Sequence, residues 1–142
     1  MTAYLPDTNV FSELLKTRPE PNVLQFFADN SDLWLSVVVR HEMQYGVERM
    51  DPGQRRDDLQ SDMTQLFAEY EERYLPFDRT CADWAARYRA INHRQGRATG
   101  WGDALIAGTA RTHGLTVATR NMRDFEVIGV DAINPWDSPL SP

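Results

Sequence analysis

Leu115-Thr116-Val117-Ala118-Thr119-Arg120-Asn121-Met122-Arg123-Asp124 decides how the rest of the chain is read. Leu115–Thr119 is apolar and β-prone, so it reads as a buried strand, and a polar turn carrying an acid follows at once. Just upstream, Asp103 opens a helix through Ala104-Leu105-Ile106-Ala107-Gly108-Thr109-Ala110, and Gly114 stands where a helix-ending glycine belongs. The same alternation runs back to the start. Tyr4-Leu5, ending at Pro6-Asp7, is the end of a short strand, and Leu33-Trp34-Leu35-Ser36-Val37-Val38 is another. Helical spacing links them. Val10, Leu14 and Leu15 mark a helix over Asn9–Lys16, and Pro21 suits the first turn of the next. A helix follows through Glu42, Tyr45 and Val47, Asp51-Pro52-Gly53 turns the chain, and a long amphipathic helix covers Arg55 to Arg73.

Tyr74–Asp78 is a short extended piece, and Thr80 is the expected cap of a helix running through Trp84, Tyr88 and Ile91 to Arg94. Val127-Ile128-Gly129-Val130 is read as a further strand, and Ala132–Trp136 closes the domain. Strands separated by helices pair in parallel through right-handed crossovers. The expected class is therefore α/β: a three-layer α/β/α sandwich with a mostly parallel central sheet, as one domain over residues 1–142.

With 142 residues, 42% hydrophobic and 25% charged, the chain suits one globular core. No apolar run is long enough to span a bilayer, and the first residues lack the basic and apolar parts of a secretory signal. The single cysteine, Cys81, permits no intramolecular disulfide and is expected to be a small core residue, so a cytoplasmic protein is the natural reading. The net charge of −6 is unevenly spread. From Arg87 to Arg123 there are seven arginines (87, 89, 94, 97, 111, 120, 123) and one acid, Asp103, so this segment is +6 and the remainder −12. Arginine grips phosphate bidentately and stacks on bases, so the segment is a candidate surface for a polyanion.

In an open parallel sheet, ligands gather beyond the carboxyl ends of the strands. Asp7 follows the first strand, Glu42 lies in the helix after the second, Asp103 in the first turn of a helix, and Asp124 after the Leu115 strand. The four are expected at one sheet edge. Taken singly, each has a plainer role as a turn residue, a surface acid, a helix cap or an arginine partner. Together they repel one another unless a cation sits among them, and hard divalent ions such as Mg²⁺ or Mn²⁺ prefer such oxygen ligands. A cation so held activates water and stabilises a phosphoryl group under attack. No Ser-His-Asp arrangement, phosphate loop or GxGxxG competes, and His41, His93 and His113 lack zinc spacing; His41 adjoins Glu42.

The order of these motifs resembles the PIN-domain nucleases, and within them the VapC toxins of the FitB-like, plasmid-stability branch. The resemblance is carried by Asp7-Thr8-Asn9-Val10-Phe11-Ser12-Glu13-Leu14, by Ser36–Val47 around Glu42, by Leu75-Pro76-Phe77-Asp78, by Gly102-Asp103-Ala104-Leu105-Ile106-Ala107, by Leu115–Phe125 and by the ending Asn134-Pro135-Trp136. It covers nearly the whole chain. It implies a metal-dependent endoribonuclease using Mg²⁺ or Mn²⁺ at Asp7, Glu42, Asp103 and Asp124. It further implies that Asn9, Thr119 and Asn121 orient carboxylates or a metal-bound water. Glu13 recurs in this branch, and an arginine pair or a dimer contact is its other reading. The implied partners are an RNA substrate, a second copy in a homodimer, and a cognate antitoxin through which operator DNA is reached, with no membrane. The alternative is a catalytically weak PIN-like dimer that serves as a binding module with the antitoxin on operator DNA. A phosphatase is disfavoured because the first motif is Asp-Thr-Asn, not Asp-x-Asp. One departure from the branch is the glycine-rich approach Ala98-Thr99-Gly100-Trp101-Gly102, where Trp101 is available to stack on a base but is rather expected to pack.

Overall fold

Leu5 and Val117 are both fully buried and lie opposite each other in a parallel ladder, which sets the centre of the sheet. The structure is a computed structural model that describes residues 2–97 and 100–137. In chain order the elements are β1 (Tyr4–Pro6), α1 (Thr8–Glu13), α2 (Pro21–Asp29), β2 (Leu35–Ser36), α3 (Val37–Glu48), α4 (Gln54–Glu69), β3 (Tyr74–Leu75), α5 (Arg79–Arg94), α6 (Trp101–His113), β4 (Thr116–Ala118), α7 (Met122–Glu126) and β5 (Ala132–Ile133). Strand pairing runs β1-β4-β5 on one side, and β2 pairs with β3 on the other. A bridge from Tyr4 to Leu33 joins the two, with Trp34 N–H donating to the Tyr4 carbonyl at 3.1 Å. The order is thus β3-β2-β1-β4-β5, and every pairing is parallel. Right-handed crossovers put α1–α4 on one face and α5–α7 on the other. The helix contacts agree, with α1 and α4 on α3 and α5 and α7 on α6. The α/β class expected from the sequence is the class observed.

Several boundaries differ for local reasons. The second strand stops at Ser36, because the Ser36 hydroxyl accepts from Val38 N–H at 3.0 Å and caps α3. Val37 and Val38 are therefore helical despite their β-branching. The long helix ends at Glu69 rather than Arg73, where Tyr70 turns inward against Phe11. Asp78, not Thr80, caps α5 through Cys81 N–H at 3.0 Å. Val127–Val130 is no strand. Buried Phe125 anchors the short helix α7, which the sequence reading missed, and Gly129 (φ 76°) turns the chain back so that Val130 N–H meets the Phe125 carbonyl at 3.1 Å. Phe11 and Phe26 belong to the core, with Phe27 packed against them, and Cys81 is fully buried.

The tightest helix contact explains Gly108. A Cβ there would stand 2.5 Å from the Cys81 carbonyl oxygen and 2.9 Å from the Ala85 nitrogen, both backbone atoms of α5. A mid-helix glycine costs roughly 1 kcal/mol relative to alanine, and the close approach of α5 outweighs that. Gly108→Ala is expected to destabilise the fold by about 1–3 kcal/mol through overpacking. Urea titration followed by circular dichroism measures this, and a midpoint at or above that of the parent would mean that α5 yields easily.

Candidate metal and nuclease site

Asp7 is 3% exposed and is held from three directions. Its own N–H donates to the Ala118 carbonyl at 2.9 Å, which continues the β1–β4 ladder by one residue. One carboxylate oxygen accepts from Val10 N–H at 3.1 Å and caps α1. The other accepts from the Thr119 hydroxyl at 2.6 Å, and that hydroxyl in turn accepts from Asn121 N–H at 2.9 Å. Two strand ends are thereby tied to one carboxylate. Burial raises the Asp7 pKa above its ordinary value. The Thr119 hydroxyl and the Val10 and Asn9 N–H groups oppose the rise, and Glu42 adds to it.

Glu42 lies in the second turn of α3, and its Oε1 accepts from the Thr8 hydroxyl at 2.8 Å. Asp103 lies in the first turn of α6 and Asp124 in the first turn of α7. The pKa of Asp103 is raised to about 6, first by burial and then by the fields of Asp7, Asp124 and Glu42. Asp103 therefore lies within electrostatic reach of Asp7, Asp124 and Glu42, toward the carboxyl edge of the parallel strands. The only cation paired with one of them, among the described residues, is Arg97, whose Nη2 stands 3.2 Å from Asp124 Oδ1.

The donor set suits a hard divalent ion. It is built of carboxylates, and two of the acids, Asp7 and Asp103, have a pKa raised by burial first and by neighbouring carboxylates after it. Among the described residues no three such side chains are yet closed around a common metal position. Asp124 accepts from Arg97 at 3.2 Å and Glu42 from the Thr8 hydroxyl at 2.8 Å. Two grooves share Thr8 and Glu42 as lining. One, of about 880 Å³, runs over α1, α3 and α4 past Ser12 and Lys16. The other, of about 420 Å³, runs between α3 and α6 past His41, Tyr45 and Trp101.

Some expected side chains stand elsewhere. Asn9 and Asn121 are exposed and meet the cluster through their backbone N–H groups, Asn9 at Asp7 and Asn121 at Thr119. Trp101 is 67% exposed beneath the Arg89 guanidinium, which corrects the expectation that it packs. Ala98 and Thr99, in the glycine-rich approach, lie outside the described residues. Glu13 is buried and pairs with Lys16 at 2.8 Å rather than with an arginine; it also accepts from Glu20 N–H at 3.0 Å, joining α1 to the start of α2. Much of the basic segment is braced by aromatic rings: Arg87 and Arg111 on Trp84, Arg89 on Trp101 and Arg120 on Trp136. Arg97, Thr8 and Gly102 were not singled out as site residues from the sequence, because nothing local marks them.

Residues 4–130 match the PIN domain. The chain belongs to the PIN-domain family. Within it, the chain is 37% identical to VapC ribonuclease Y4jK of Sinorhizobium fredii over 134 residues, 92% of this chain and 96% of the relative. It is 33% identical to the toxin FitB of Neisseria gonorrhoeae over 135 residues, 93% and 97% of the two chains. The fold superposes on FitAB bound to an IR36 DNA fragment with a TM-score of 0.86 at 34% identity, covering 94% of this chain and 96% of that one. These place it in the VapC and FitB branch.

Proposed function

We propose that this chain is a metal-dependent endoribonuclease that acts as the toxin of a toxin–antitoxin pair. The observation that carries the reading is the convergence of Asp7, Glu42, Asp103 and Asp124, from four separate segments, on one edge of the parallel sheet. The names of Y4jK, a ribonuclease, and FitB, a toxin, support it. Asp7, Glu42, Asp103 and Asp124 would hold Mg²⁺ or Mn²⁺. When bound, such an ion supplies hydroxide at neutral pH and offsets charge on the phosphoryl oxygens. The chain's own groups do the rest. The Thr119 hydroxyl and the Val10 N–H each hold one oxygen of Asp7, so its carboxylate is fixed in one orientation before anything binds. Asp103, with its pKa raised to about 6, is already largely ionised at neutral pH, and positive charge beside it would complete the ionisation. The arginines between 87 and 123 hold the RNA backbone beside an otherwise repulsive acidic centre. FitAB bound to an IR36 DNA fragment and VapBC2 of Rickettsia felis bound to a promoter DNA fragment support a cognate antitoxin as the partner that brings the complex to operator DNA. In the same reading, two copies of this chain would form the toxin dimer. Placement in the cytoplasm accords with an RNA substrate, and among the described residues no helix is long and apolar enough to cross a membrane.

The test uses the purified chain, free of partner, with structured and single-stranded RNAs in Mn²⁺ or Mg²⁺. Endonucleolytic fragments that vanish with EDTA and return with excess Mn²⁺ are expected. Undiminished cleavage in EDTA would sink the metal requirement. Intact RNA under every condition, together with tight antitoxin-dependent DNA binding, would favour the catalytically weak binding module.

A further inference from the structure

The carboxylate of Glu42 rests against the first turn of α6. A Cβ built on Gly102 would lie 2.8 Å from Glu42 Oε2, 3.0 Å from Oε1 and 3.1 Å from Cδ. Its other support is the Thr8 hydroxyl, at 2.8 Å from Oε1. Two ordinary reasons for a glycine at 102 fail. Its φ is not positive, so the backbone does not require glycine. It lies inside α6, where alanine is the better helix former. The glycine next to it in sequence order, Gly100, would meet nothing within 4 Å. What singles out Gly102 is the Glu42 head group. The N-terminal end of α6 also favours a carboxylate through the helix dipole.

We propose that Thr8 and Gly102 are positioning residues that together form a seat for Glu42: one by a hydrogen bond, the other by leaving the space that a side chain would fill. The seat holds the Glu42 carboxylate between α1 and the first turn of α6, the turn that carries Asp103, and its role in the reaction rests on the function proposed above. It lies where α3 and α6 meet. A methyl group at 102 need not disturb the backbone, because the atoms it meets are the end of a flexible side chain. It displaces the Glu42 carboxylate instead.

The variants are Gly102→Ala, Thr8→Val, Thr8→Ser and Glu42→Gln, alone and with Gly102→Ala and Glu42→Gln combined. Mn²⁺ affinity is read by calorimetry on the full chain, and RNA cleavage is read as kcat and KM separately. Groups that orient a metal ligand typically change metal affinity by about 10- to 100-fold. Gly102→Ala and Thr8→Val are each expected to weaken Mn²⁺ binding by about tenfold and to lower kcat with little change in KM. Thr8→Ser, which keeps the hydroxyl, restores both. Gly102→Ala keeps or raises the metal-free melting temperature, and it adds almost nothing to Glu42→Gln. Parent-like Mn²⁺ affinity in Gly102→Ala, or an effect that adds in full to that of Glu42→Gln, would overturn the seat. If the parent binds no Mn²⁺, the proposed function fails and the seat is still decided. Metal-free crystal structures then show the Glu42 carboxylate displaced in Gly102→Ala, which supports it, or unmoved, which overturns it.

Discussion

Asp7→Asn is expected to reduce Mn²⁺-supported RNA cleavage by roughly a thousandfold, about 4 kcal/mol of transition-state stabilisation. The reason is the position of Asp7. It is the most buried of the four acids, tied to both central strand ends, and its rotamer is set by Thr119 and Val10. Asparagine keeps the shape and remains a good helix cap, so the Val10 N–H stays satisfied. It loses the charge and one acceptor, so the Thr119 hydroxyl must rotate to accept from the new amide instead of donating. The variant should therefore fold with an unchanged circular dichroism spectrum and a melting temperature close to that of the parent without metal. Burial already disfavours ionised Asp7, so removing its charge costs the metal-free fold little. Multiple-turnover cleavage of a fluorescent RNA in Mn²⁺, beside the melting curves, makes the measurement. A variant that retains more than a tenth of parental activity would remove Asp7 from the reaction.

The second large effect concerns Asp103 and has opposite signs for activity and stability. Its pKa is raised from 3.8 to about 6 by burial and by three neighbouring acids. The folded state therefore binds the proton more tightly than the unfolded chain does. Stability from this group is fully present below about pH 4 and is lost as pH rises through about 6. In EDTA the parent should lose on the order of 2–3 kcal/mol across that window, less whatever solvent contact screens. Asp7, also raised, acts in the same direction. Asp103→Asn removes the larger part of this slope. At pH 7 without metal the variant should melt several degrees above the parent, while its RNA cleavage falls by two orders of magnitude or more. Adding Mn²⁺ should raise the parent's melting temperature and narrow the gap. Melting curves from pH 4 to 8 in EDTA decide it, and identical slopes for parent and variant would mean that Asp103 is not strained in the metal-free protein. A site that weakens its own fold until a cation enters is the stability cost commonly met where like charges are gathered for chemistry.

Asp7 and Asp124 were legible because they come soon after strands end, Glu42 because its helix follows a strand, and Asp103 because it opens a helix. Leu5 and Val117 announce their strands by composition, and a parallel sheet then carries whatever follows them to a common edge. The cap at Gly114, with φ 68°, was legible for a similar reason, since a left-handed helix ending favours glycine. The failures were also physical. Val37 and Val38 read as strand because β-branching is a weak preference that one Ser36 hydroxyl can override. The stretch Val127–Val130 read as strand because periodicity over four residues cannot tell a strand from the end of a helix whose anchor, Phe125, lies just before it. Trp101 was expected to pack as an apolar residue, yet it is largely exposed, with the Arg89 guanidinium over its ring, and it lines a groove.

The sequence alone determined the fold class, singled out the four acids as candidates and showed the concentration of arginine between 87 and 123, because each is written in local pattern and order. Tertiary structure decided how those groups are held. It placed the Thr119 hydroxyl on Asp7, Arg97 on Asp124, and the Thr8 hydroxyl and the empty side of Gly102 against Glu42. These contacts join residues up to 112 positions apart. No local propensity encodes such pairs, since they exist only after the crossovers have brought α3, α6 and the ends of β1 and β4 to one edge.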